Sequence, residues 1–293
     1  MSRAFSASFV VLPETEPPYP SVFEFLCGRF AKIPPAVWHE RIASGKVLDM
    51  RENPISFDTA YMPKTRLYYY REVIDEPVVP FKERILYQDE HIIVADKPHF
   101  LPVIPSGPYV NECLLNRLKT KTGIHSLTPL HRIDKETAGI VVFSCNPESR
   151  GTYQTLFQKG SVNKEYEAVT RCTSVPRQKE WYMENRIVRG EPFFRMKITG
   201  GKSNACTQLY LLEIKENKAL FRAVPLTGKK HQVRLHLSTL GFPVVNDRKY
   251  PALLPEQEAD FSKPLQLLAK RIVFKGPITG TLCEFESEGK LDW

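Results

Sequence analysis

The stretch from His131 to Ser144 reads HRIDKETAGIVVFS. One carboxylate, Asp134, stands between Arg132 and Lys135, just ahead of an apolar run with the character of a buried strand. A partly desolvated carboxylate stays ionised only beside a cation or hydrogen-bond donors, and this one could be a catalytic acid at the mouth of a positively charged groove. The same residue types also suit a solvated turn. Two further stretches set polar groups in apolar surroundings. In NKEYEAV, Lys164 and Tyr166 share one face of a strand, where the ring either packs in the core or carries a stacked base. In TGKKHQVRLHL, Lys230, His231 and Arg234 recur at helical spacing beside Lys229, and Thr227 offers an N-cap. Such a face pairs with a carboxylate or phosphate, arginine making the more fixed pairing, or stays solvated. His236 falls on the apolar stripe of that helix and belongs to the core.

Several chemistries lack their motifs. There is no G-x-S-x-G elbow, no G-x-x-x-x-G-K-[ST] loop, no H-E-x-x-H and no obvious pair of carboxylates for glycosidase work. The six cysteines are scattered without a C-x-x-C pair, which disfavours zinc and fits free thiols in a reducing cytoplasm. No metal and no cofactor is expected. Nothing reads as a signal peptide or membrane span, so a cytoplasmic chain without membrane contact is expected. Lys and Arg number 41 against 33 Asp and Glu, and this excess favours a polyanionic partner, nucleic acid before membrane.

The elements that must position these groups follow from periodicity. Proline density makes residues 1–20 an arm. Residues 21–50 read as two short helices and a short strand, with Ser21 as a cap, Pro34 and Pro35 opening the second helix and Gly45 ending it. This unit, taken to residue 72, is small and basic-faced, and the proline-bearing residues 73–83 read as a linker. Residues 84–293 form the large domain. RILYQDEHIIVADKP and TQLYLLEIKENKALFRAVPL read as hairpins, and NPESRGTYQTLFQKG as a helix with Asn146 as cap. Strands paired in hairpins, without βαβ alternation, indicate an α+β fold with a mainly antiparallel sheet.

Taken in order, these segments resemble the RluA-type family of pseudouridine synthases. HRIDKETAGIVVFS resembles the family's His-Arg-Leu-Asp-Arg-Asp-Thr-Ser-Gly motif, KEYEA its Lys-x-Tyr-x-Ala motif, and PLTGKKHQVRLHLSTLGFPVVNDRKY its Thr-Gly-Arg-x-His-Gln-Ile-Arg-x-His segment. ILYQDEHIIVADKP looks like the opening hairpin and LQLLAKRIVF like the closing segment, so the likeness runs over roughly residues 80–275. Lys135, Glu136 and Ala138 replace Arg, Asp and Ser. Asn246 and Pro251 stand where glycine is usual, and LLA replaces Leu-His-Ala. Residues 21–50 resemble a degenerate S4-type RNA-binding unit.

The resemblance implies a mixed, mainly antiparallel sheet core with flanking helices, plus the small N-terminal α/β unit. It implies an isomerase acting on uridines of structured RNA, ribosomal or transfer, as a monomer without metal or cofactor. Asp134 would attack ribose C1′ or remove the C2′ proton. Arg234 would keep it ionised, and Tyr166 would stack on the uracil. Arg132, Lys164, Lys229, Lys230 and His231 would hold the flipped nucleotide and the RNA backbone. Two other readings use the same residues: a non-catalytic RNA-binding protein that kept the fold, and a glycosidic hydrolase, which needs a second carboxylate that the sequence does not offer.

Overall fold

The computed structural model describes residues 2–4 and 7–293. The chain divides into two compact units, one of residues 1–77 with 106–111, the other of residues 78–105 with 112–293.

In the first unit, β1 (Ser2–Arg3) and β2 (Ser8–Val11) precede α1 (Val22–Arg29) and α2 (Pro35–Ala43). Then come β3 (Val47–Leu48), β4 (Arg66–Tyr69) and β5 (Glu72–Val73). The Ser21 hydroxyl accepts from the Glu24 N–H at 3.2 Å, capping α1. Pro35 opens α2, and Gly45 leaves it at φ +67°. Sheet order β2-β4-β3 presents Leu12, Leu67 and Tyr69 to the helices, where they pack with Phe25, Leu26 and Trp38. β1 pairs with β5. One expectation changes here. Residues 1–20 are not merely an arm, because Ser8–Val11 lies ahead of the prolines and pairs along β4. Over residues 1–77 nine Lys and Arg face ten Asp and Glu, so the excess of cations in the whole chain belongs to the rest of it.

The second unit holds β6 (Arg84–Gln88), β7 (Ile92–Lys97), α3 (Leu114–Thr122), β8 (Thr128–Pro129), β9 (Ala138–Ser144) and α4 (Pro147–Gln158). It continues with β10 (Val162–Arg171), β11 (Glu180–Arg189), β12 (Met196–Thr199), β13 (Ala205–Lys215) and β14 (Lys218–Pro225). α5 (Gln232–Thr239), β15 (Leu267–Lys275) and β16 (Leu282–Glu286) complete it. The sheet runs β12-β11-β13-β14-β10-β15-β9-β7-β6, with β16 on β15 and β8 on β9. Among its pairings only β15 with β9 is parallel. The α+β class with a mainly antiparallel mixed sheet is therefore the observed one. The expected linker 73–83 is only partly a connector. Val73 lies in β5, and Arg117 donates to the carbonyls of Val79 (2.7 Å) and Phe81 (2.6 Å), which fixes that end to the second unit.

The parallel seam bears on the site because β9 begins there, four residues after Asp134. Gly139 sits at φ +109° opposite Ala269, and a Cβ on it would lie 2.3 Å from the Ala269 carbonyl oxygen and 2.7 Å from its nitrogen. Neither the backbone angle nor the space admits a side chain. Gly139→Ala is expected to cost at least about 3 kcal/mol in urea unfolding. A loss below about 1 kcal/mol would show that the seam relaxes freely.

Candidate active site

The Asp134 segment is a turn held from behind. The Thr137 N–H donates to the Asp134 carbonyl at 3.2 Å. The buried Lys97 ammonium, at the end of β7, donates to the carbonyls of Pro98 (2.9 Å), Leu101 (2.7 Å) and Lys135 (3.0 Å). Burial lowers its pKa to about 7. His99 donates from Nδ1 to the Glu136 carbonyl at 2.7 Å, which fixes its tautomer. His131 accepts from the Val142 N–H at 3.1 Å and stacks on Phe157 with ring centroids 5.0 Å apart. The backbone that presents Asp134 is thus anchored at residues 131, 135 and 136.

Opposite it stands α5. Gln232 fastens the start of that helix to β13. Its amide donates to the Cys206 carbonyl (2.9 Å) and the Thr207 hydroxyl (2.8 Å), and its oxygen accepts from the Lys229 N–H (3.0 Å) and the Thr227 hydroxyl (2.8 Å). Thr227 is therefore no helix cap, and the helix begins at Gln232. His231 precedes it in the left-handed region at φ +57°, and its ring is buried. It exchanges a 2.9 Å hydrogen bond with the Tyr250 hydroxyl, and its Nε2 lies 3.8 Å from Asp134 Oδ2. Burial drives its pKa down to about 4, so it is neutral at pH 7. An exposed His231 lying along RNA is thus ruled out by the turn that swings it inward.

Arg234, one turn in, is 2% exposed. Its Nε and Nη2 donate to Asp247 Oδ2 (2.8 Å) and Oδ1 (2.6 Å), and its Nη1 donates to Asp134 Oδ2 at 3.1 Å. Asp247 has a fully buried side chain and also accepts the N–H groups of Lys249 (2.8 Å) and Tyr250 (3.2 Å). Against the cost of burial, these bonds raise the arginine pKa above its already high value. The fork thus keeps a permanent charge with one N–H face left for Asp134. Glu136 lies 3.5 Å from Lys249, and although its own burial opposes ionisation, Lys249, Arg234 and Lys135 bring its pKa down to about 2.

The remaining expected residues surround this centre. Tyr166, on β10, packs against the core of that sheet region, and burial followed by the charge of Asp134 raises its phenol pKa. Lys164 is half-buried with its ammonium beside Gly228, in the turn that carries the exposed Lys229 and Lys230. Arg132 is exposed two residues before Asp134. His236 is buried and bonded to Thr207 at 2.9 Å, a core histidine as expected. Asp247, Glu136, Tyr250 and Lys97 were not singled out by sequence reasoning. The signal for Asp247 was present, since a carboxylate in the apolar FPVVNDRKY stretch, so close to Arg234 in sequence, is the natural partner for a buried arginine. Among the described residues no group of His, Cys, Asp and Glu could hold a metal ion.

The family model for RNA pseudouridylate synthase matches residues 91–239, half of the chain. The chain belongs to that family. Its sequence is 29% identical over 221 residues to the dual-specificity RNA pseudouridine synthase RluA of Haemophilus influenzae, covering 72% of this chain and 95% of that protein. It is 26% identical over 230 residues to an RNA pseudouridine synthase of Synechocystis, covering 78% and 79%. The solved structure of human RNA pseudouridylate synthase domain containing 4 superposes with a TM-score of 0.55 at 28% identity, over 71% of this chain and 88% of that one. This pseudouridine synthase is of the RluA type, an isomerase whose partner is RNA.

Two outcomes follow from its site. Asp247→Asn keeps the shape but breaks a buried ion pair, and is expected to cost about 3–5 kcal/mol of stability and to slow single turnover at least tenfold. Unchanged melting and turnover would place the arginine's support elsewhere. The second concerns acid. The folded pKa values of His131, His231 and His236, about 3, 4 and 4, lie below the ordinary 6.5. Between pH 6.5 and 4 the unfolded chain therefore binds protons that the native chain refuses, and stability falls as pH falls through that window. His131→Gln, which still accepts from Val142, should flatten the slope of melting temperature against pH. An unchanged slope would show that His131 titrates normally.

Proposed function

We propose that this synthase isomerises uridines of structured ribosomal or transfer RNA through the Asp134 carboxylate, as a monomer and without a metal ion. What supports Asp134 is that Arg234, immobilised by Asp247, offers it a single charged N–H at 3.1 Å. The pairing fixes one oxygen of the carboxylate and sets a permanent positive charge beside it.

The reaction needs the target nucleotide out of its stack. Arg132, exposed on the same turn, is suited to occupy the vacated place or to bind the flipped phosphate. Lys164, Lys229 and Lys230 would lie along the backbone. Asp134 then either attacks C1′ or takes the C2′ proton. In both routes the N1–C1′ bond breaks and its electron pair goes to the uracil. The base turns and C5 bonds to C1′, which releases the Asp134 ester in the first route and is accompanied by return of the proton from Asp134 to C2′ in the second. The C5 proton leaves and N1 gains one, so no electron or group enters from outside. Tyr166 is the ring on which the uracil stacks. Its phenol is kept neutral by burial and by Asp134, so it can relay the C5 proton but not hold it alone.

The hydrolase reading meets two candidate carboxylates after all, Glu136 and Asp247. Both are tied to cations, Asp247 through both oxygens, and neither is left to activate water as a general base does. The test is a radiolabelled short stem-loop incubated with excess enzyme and digested to nucleosides. Wild-type protein should yield pseudouridine and no free uracil, and Asp134→Asn should yield neither while binding the RNA nearly as well. Free uracil from the wild type would establish hydrolysis, and a tenth of normal turnover in the Asn variant would remove Asp134 from the mechanism.

A further inference from the structure

The first unit carries a surface that the reaction does not use. β2 and β4 alternate, so one face of their ladder packs on the helices and the other is bare. Direct cross-strand partners on the bare face are Phe9 with Tyr68 and Val11 with Arg66. Phe9 is 56% and Val11 45% exposed. The two rings lie 6.4 Å apart, and the Arg66 guanidinium sits 4.5 Å from the Phe9 centroid and 3.5 Å from the Tyr68 hydroxyl. Among the described residues no carboxylate pairs with Arg66. The nearby Lys64 is paired with Glu14.

Adjacent aromatic rings and an unneutralised guanidinium on an open sheet offer what an unpaired base wants, a π surface with positive charge beside it. A hydrophobic protein partner would find a cation at the centre of its contact. A duplex would find too few charges, since this unit carries no net positive charge. We propose that the Phe9–Tyr68–Arg66 face binds single-stranded nucleotides of the RNA outside the target stem, as a base-stacking platform distinct from the helices of the same unit. The proposal rests on RNA being the substrate. Because stacking dominates, its contribution is large in affinity and small in salt dependence.

The test uses the full-length protein and two fluorescent RNAs, a short target stem-loop and the same stem-loop with a single-stranded tail. Wild-type protein should bind the tailed RNA more tightly. The double variant Phe9→Ala with Tyr68→Ala should lose about tenfold or more on the tailed RNA, with little change on the bare stem-loop, in turnover of saturating stem-loop, or in the salt slope. Phe9→Trp with Tyr68→Trp, which keeps the rings, should bind like wild type and excludes a folding effect. Equal affinity of wild type and the Ala variant for the tailed RNA would overturn the platform. So would a wild-type dimer in sedimentation that the Ala variant dissolves, since the face would then be a contact between copies. Either failure leaves wild-type turnover intact, whereas failure of the RNA reading itself would appear as no pseudouridine at all.

Discussion

The site depends on one arginine with no freedom. A guanidinium has five donors in a fixed plane, and burying it is costly unless nearly all are used. Asp247 takes two of its nitrogens and the remaining one meets Asp134. Asp247 is in turn fixed by two backbone N–H groups of the following turn. α5 can present Arg234 there only because Gln232 ties its first turn to β13. Asp134 can arrive from the other side only because Lys97 and His99 hold the carbonyls around it. The sheet brings the two halves together at the β9–β15 seam, where Gly139 permits a close backbone approach.

Periodicity and turn residues made the hairpins, the Asn146 helix and the two N-terminal helices legible, because each of these is stabilised locally. The central pairing of Asp134 with Arg234 was legible through the resemblance of the ordered motifs. What sequence did not show was set by tertiary contacts. The start of α5 depends on Gln232 reaching β13, so Thr227 lost the cap that local preference assigned to it. His231 turned inward because a left-handed residue precedes the helix. Asp247 escaped notice because its value as a partner exists only once a buried arginine faces it. Strand β2 was hidden by the prolines that follow it.

Charge is divided between the units in a way that composition alone conceals. The cations gather in the unit that holds Asp134, where Lys229, Lys230 and Arg132 are exposed around a site that is otherwise an enclosed network of paired charges. Arg234 is spent wholly on Asp247 and Asp134, so the cations open to solvent around the site are other residues, Arg132, Lys229 and Lys230.

The most direct measurement of this arrangement is a double-mutant cycle on single-turnover rates with a short stem-loop, using Arg234→Lys, Asp247→Asn and the two combined. If Asp247 acts by fixing Arg234, the double variant should be no slower than the slower single variant, a coupling of about 2 kcal/mol between residues in one network. Rates that fall by the product of the two separate losses would contradict it, since the two residues would then act independently.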